Sequence, residues 1–418
     1  MCLAPQWREA VNKSFSDFVK KGSGNGAFFF MQHSDLNCQN GSTMNLRIPI
    51  PKTFKLILSF FIMISTAESV PRYALKNGET CSLCHVNPSG SGLRTEYGNS
   101  LVSGEELPVY TEEVSYSGMI SEHLQLGGDV RLQRIVAEPD TTGIQTAGFP
   151  MQADIYGAVK PTKQIDIIWK IDLLNSYHQV WSQIKIFPNG GMIRFGKTMP
   201  TYGLRLADHT AFIKGGNLSL DYDLPQEGLP FSPRKAAPFA FETAVYLGDL
   251  YITAGVSETY LASANWGLTF TRNLREQTLF SRVEYSGSLK NLHFTAGGSV
   301  MHEDNLNLRG FFGGMSFWKM QWLAEVDWAR NWAGENVSMA SYNHLNYSLM
   351  QGLDVGFKFE TFDVDIDSSG QSIQRLSLGI DYIPIPYVQI KAQVRKSETM
   401  NPDFKGKPEY LLQLHTWF

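Results

Sequence analysis

Apolar and small residues fall on every second position through much of this chain. Leu124, Leu126, Gly128, Val130 and Leu132 alternate with Gln125, Gly127, Asp129, Arg131 and Gln133. The same period returns at 165–173, 322–328, 353–359 and 388–394. Val388, Ile390, Ala392 and Val394, for example, are set against Gln389, Lys391, Gln393 and Arg395. A two-residue period with one apolar and one polar face predicts half-buried β-strands.

A soluble sandwich and a membrane barrel both alternate, so strand length and turns decide. The alternating runs are long for a globular sheet and suit a tilted membrane strand of ~9–11 residues. Short turn signals separate several of them: Gly248 with Asp249, Gly287 with Ser288, and Asn189 with Gly190. Aromatic residues gather toward strand ends, as with Trp328 and Trp332 or Tyr382 and Tyr387. Such clusters resemble the interfacial girdles of membrane barrels. The last printed residues alternate back from Phe418 through Leu414, Leu412 and Tyr410. That resembles the final strand of bacterial outer-membrane proteins, with Thr416 where an aromatic is often found. The expectation is an all-β, transmembrane antiparallel barrel over 119–418 with about 16 strands, 18 being the alternative. A barrel of that size encloses a lumen.

The longest break in the alternation is 198–237, which includes Pro200, Pro225, Pro230 and Pro233. It reads either as an extracellular loop or as a segment folded into the lumen. Asp208 and His209 within it are weighed as metal or haem ligands, and a capped loop turn is the plainer role.

Upstream of the barrel the pattern changes. The longest apolar run is Leu56, Ile57, Leu58, Ser59, Phe60, Phe61, Ile62, Met63 and Ile64. It is too short for a spanning helix. Arg47, Lys52 and Lys55 precede it and Ser65, Thr66 and Ala67 follow. This order predicts a secretory signal peptide over 44–67. Residues 1–43 then read as an extension from an early start codon, or as part of an unusually long signal.

Composition adds exclusions. Charged residues are 18% of the chain, aromatics 12%, and the net charge is −4. Nucleic-acid binding is not expected from that balance. Nothing resembles a phosphate loop, a hydrolase triad or a paired-carboxylate site.

Of the four cysteines, Cys2 and Cys38 precede the predicted cleavage, so Cys81 and Cys84 carry the chemistry. Cys81, Ser82, Leu83, Cys84 and His85 spell C-x-x-C-H, the haem c attachment signature. Two thiols at this spacing bond the two vinyl groups, and the adjacent histidine lies under the iron. A thioredoxin-like pair would need a βαβ setting, which is missing. A zinc site would need two further close ligands. The expectation is one covalent haem c on Cys81 and Cys84, with His85 as proximal iron ligand. Met119 and His123 are the candidates for the distal position. Arg94 and Tyr97 are candidates to approach a propionate or the ring edge, on a short helix over 93–101. The segment 68–118 is too small to bury a haem alone, so the barrel is its natural cover. The turn-rich run 87–92 is expected to let it seat there.

A signal peptide, one C-x-x-C-H in a short Gly/Pro-rich segment and a barrel ending in Phe together resemble the fused monohaem cytochrome–porin proteins of bacterial outer membranes. The best-known members are iron oxidases. The resemblance implies haem ligation by Cys81, Cys84 and His85, a location in outer-membrane lipid, a periplasmic electron carrier as partner, and an extracellular donor or acceptor such as Fe(II). The alternative is a diffusion porin whose haem-bearing periplasmic segment docks a partner. A soluble secreted β-protein is the third class.

Overall fold

The computed structural model describes residues 72–79, 81–87, 92–111, 116–137, 143–174, 177–206, 208, 210–216, 228–232, 235–262, 277–368, 372–399 and 405–418. The expected extension 1–43, the signal peptide 44–67, most of the 87–92 run and His209 lie outside them.

Seventeen strands occur among these residues. β1 (Met119–Ser121) is a short strand folded back on β2. The others are β2 (Leu124–Ala137), β3 (Gln145–Val159), β4 (Ile165–Asp172), β5 (His178–Lys185), β6 (Met192–Lys197), β7 (Phe239–Leu247), β8 (Leu250–Ser257), β9 (Thr278–Leu289), β10 (Leu292–Glu303), β11 (Leu306–Phe317), β12 (Met320–Arg330), β13 (Val337–Met350), β14 (Leu353–Asp363), β15 (Ile373–Ile385), β16 (Val388–Thr399) and β17 (Lys405–Trp417). Each pairs antiparallel with its sequence neighbour, and β17 pairs with β2. The ring β2–β17 is therefore a closed barrel of 16 strands, the expected number. Closure leaves no unpaired edge. Phe418 completes the seam: its N–H donates to Gly128 O at 3.1 Å, and Gly128 N–H donates to Phe418 O at 3.0 Å.

The two faces of the wall are the reverse of a soluble barrel. Val130, Leu132, Leu376, Leu378, Leu412 and Leu414 point outward and are exposed. Gln133, Arg194, Glu242, Glu360, Arg375 and Arg395 point inward and are buried. Only a lipid solvent makes an apolar outside and a polar inside favourable together. The alternation is thus that of a transmembrane barrel.

Most expected turns are present. Gly248 and Asp249 join β7 to β8, and Asn189 and Gly190 sit in the turn between β5 and β6. Gly287 and Ser288 are not a turn; they lie inside β9, and Lys290 and Asn291 make the turn to β10. Gly287 faces Phe294 across the ladder, and a Cβ there would meet the Phe294 ring at 2.9 Å. That glycine makes room for an aromatic rather than reversing the chain. Of the expected girdle residues, Trp328 stays on the outer face beside Phe311. Trp332 instead donates to Gly228 O, and the Tyr387 hydroxyl donates to Asn99 O and Tyr116 O.

The two ends of the barrel differ. Connections at the end where β2 begins are short, as between Leu289 and Leu292 or Phe317 and Met320. Connections at the other end are mostly longer, that from Glu303 to Leu306 excepted, and the longest runs between Lys197 and Phe239. Its described residues fold into the lumen, which decides between the two readings of the 198–237 break for them. Tyr202, Leu204, Phe212, Ile213 and Leu229 are fully buried. They join Phe231, Tyr260, Phe312 and Leu323 in one apolar cluster inside the barrel.

Candidate functional site: the barrel mouth and lumen

The C-x-x-C-H stretch forms a helical turn. α1 (Arg72–Asn77) comes first, then α2 (Cys81–Cys84), then a π-helix over Gly98–Glu106. The expected helix at 93–101 begins later than its sequence suggests. Arg94 instead forms a β-bridge with His85, flanked by Val86 N–H donating to Leu93 O at 2.9 Å. Gly98 then passes so close to α2 that a Cβ would lie 2.2 Å from Cys84 O. Helix and bridge lock the motif into a compact clip.

The clip is seated in the short-turn mouth of the barrel. Arg72 donates to Asn346 Oδ1 at 2.8 Å and pairs with Asp381 at 2.5 Å and Asp354 at 3.2 Å. Val109 and Tyr110 N–H donate to Ile383 O and Pro384 O at 2.8 and 3.0 Å. Trp417 Nε1 donates to Ser103 Oγ at 2.9 Å. Val86 and Leu93 pack with Tyr156, Ala158, Ile168 and Trp181 of the wall. The barrel therefore provides the cover that the short segment lacks.

The motif presents two unbridged cysteines and one buried imidazole. Cys81 and Cys84 form no disulfide. Burial, helped by Glu79, pushes the Cys84 thiol up to about 12, the reverse of the lowered value that marks a redox nucleophile. Burial and the neighbouring Arg94 charge push His85 down to about 3, so its imidazole is neutral, the ligating form. His85 Nδ1 is buried with no hydrogen-bond partner. Among the described residues no three His, Cys, Asp or Glu side chains converge on a bare metal ion. An iron here would need a macrocycle to complete its ligands, and these residues fit one.

His85 lines a lumen cavity of about 420 Å³. Small-molecule sites measure roughly 300–1,000 Å³, and this space is of that size. Met119 and His123 do not line this cavity. Met119 Sδ lies 4.0 Å from Lys160 Nζ, and the exposed His123 places Nδ1 3.0 Å from Lys160 O. Met199, Met151, His344 and His415 do line it. Both His415 nitrogens are taken, by Asp129 at 2.9 Å and Gln389 at 3.1 Å. His344 binds the Tyr342 hydroxyl through Nδ1 at 3.1 Å. The strand period carries the signal for His344, because it shares the inward parity of Ala340 and Tyr342. Tyr97 donates to Glu79 Oε1 at 2.6 Å. Asp208 accepts from Lys358 and from Thr210 N–H at 3.0 Å, the capped-turn role.

This architecture defines a porin-type transmembrane barrel with an N-terminal segment docked in one mouth. Comparison with solved structures agrees at the level of fold. The chain is similar to Pseudomonas putida OprB in its high-pH structure, with a TM-score of 0.53 and 8% identity. That match covers 71% of this chain and 94% of the other. It is also similar to the outer-membrane channel DcaP of Acinetobacter baumannii, at a TM-score of 0.49 and 11% identity over 72% of this chain and 99% of that one. No family model matches the sequence, and no curated protein is similar to it in sequence.

Proposed function

We propose that this chain is an outer-membrane, porin-type barrel that carries one covalent haem c at its periplasmic mouth and exchanges electrons with a periplasmic carrier. The observation that carries the reading is the seating of Cys81, Cys84 and His85 in the short-turn mouth, with His85 facing the lumen. Short turns of bacterial outer-membrane barrels face the periplasm, so a carrier there meets the clip directly. When bound, the haem supplies one-electron chemistry. The chain's own residues hold the rest of the site. Cys81 and Cys84 anchor, His85 ligates, and Val86 and Leu93 exclude water together with Trp181. Arg72 latches the clip to the wall. A donor beyond the lumen, such as extracellular Fe(II), completes the route.

A second reading is a diffusion channel whose haem segment docks a partner. The charged side chains that line the lumen cavity and the porin-type fold support it. Visible spectroscopy and bilayer conductance of the reconstituted protein separate the two. Electron transfer predicts reduced-haem bands when Fe(II) or ascorbate is added, and a small conductance. An unchanged oxidised spectrum with a large, open-pore conductance would leave the channel reading standing alone.

A further inference from the structure

We propose that Arg205 is the anchor of a carboxylate-binding site in the lumen. Eight Arg or Lys side chains line the cavity against five Asp, although the whole chain carries −4. Seven of those eight have a carboxylate partner, as Lys170 has Asp154 at 2.8 Å and Lys214 has Glu325 at 3.1 Å. Arg205 is the exception among the described residues. Among the described residues its guanidinium meets Thr201, Nη2 donating to Oγ1 at 3.3 Å, and its Nε is buried without a partner. A cation left unpaired in a sheltered site is costly unless a ligand completes it.

The fold pins the backbone just before Arg205. Next to it, Leu204 N–H donates to Glu325 Oε2 at 2.8 Å, and Arg282 Nε donates to Gly203 O at 3.0 Å. The guanidinium is thus carried on a loop whose backbone is pinned across the lumen. Thr201 also binds Arg194 at 2.9 Å, and Arg194 Nη1 reaches Asn87 Oδ1 at 3.3 Å. Asn87 is two residues beyond His85, so the site adjoins the haem clip. A planar guanidinium fork matches a carboxylate, and Leu204, Leu206 and Met199 in the same lining suit an organic body. The carboxylate has two sources: a propionate of the haem, or a small organic anion free in the lumen. The site requires the barrel and does not require the haem, so it stands or falls separately from the electron-transfer reading.

The test is calorimetric titration of benzoate into the detergent-solubilised full chain. The haem-free form (Cys81→Ala with Cys84→Ala) and the haem-loaded form are compared, each also with Arg205→Gln and Arg205→Lys. The haem-free parent binds benzoate; Arg205→Gln weakens this about tenfold or more, the range of a charged hydrogen bond, and Arg205→Lys falls between. Binding to the haem-loaded parent as well identifies a free solute. Binding confined to the haem-free form identifies a propionate as the natural occupant. No binding by the haem-free parent, or equal binding by parent and Arg205→Gln, overturns the proposal. Because Arg205 loses no ion-pair partner, Arg205→Gln melts at or above the parent temperature. A large fall in melting temperature for both variants would mark a structural role and overturn it as well.

Discussion

Arg375→Ala is expected to cost about 3–5 kcal/mol of folding stability, the usual loss when one member of a buried ion pair is removed. Arg375 and Glu360 sit side by side on β15 and β14, each with its side chain 1% exposed. The contact is a fork: Nε to Oε2 at 3.0 Å and Nη2 to Oε1 at 2.8 Å. Removing the guanidinium strands a carboxylate in a buried site. The same guanidinium donates to Thr210 O at 2.8 Å and lies 4.3 Å from the centre of the Phe212 ring. Thr210 and Phe212 belong to the loop that fills the lumen. Two readouts follow from one substitution: a lower unfolding midpoint in urea, and a larger conductance as the loop loosens. Replacing both partners with leucine restores most of the stability, because no charge remains uncompensated. A single variant as stable as the parent would contradict the pairing.

Leu378→Arg is expected to cost about 2–4 kcal/mol in a bilayer, the range for Arg on the lipid face near midplane. Leu378 is 52% exposed, lies near the middle of β15, and pairs with Phe357 and Val394. In water such an exposed position would tolerate arginine within about 0.5 kcal/mol. The substitution therefore distinguishes a lipid-facing wall from a water-facing one. Gln393→Arg, on the neighbouring strand but lining the cavity, is the control and changes stability little. Equal, small effects at both positions would return the chain to the soluble class.

These two residues also show what was legible in the sequence. Leu378 and Arg375 have opposite parity on one strand, and the two-residue period alone assigns one to lipid and the other to lumen. Strand number followed from the same period and the bilayer thickness. The partner of Arg375 did not follow, because Glu360 is fixed by register between β14 and β15. The turn assigned to Gly287 and Ser288 failed for a related reason. A glycine that reverses the chain and a glycine that admits a cross-strand aromatic look alike until Phe294 is placed opposite. The direction of the 198–237 break was equally hidden, since loss of alternation does not say which way a loop folds. At the clip, Cys81, Cys84 and His85 were explicit in their spacing. The lumen side was not: Arg205, Met199 and His344 come from the loop and from β13, and only closure of the barrel brings them to one cavity.

The proposed function requires a haem held covalently by the clip in the barrel's mouth. Its most direct measurement is the visible spectrum of the purified protein after denaturation and acid–acetone extraction, with Cys84→Ala alongside. Haem that stays with the parent polypeptide, and is lost on extraction from Cys84→Ala, is the predicted result. A parent chain that releases its haem or never carries any, or a Cys84→Ala chain that retains it, would contradict the account.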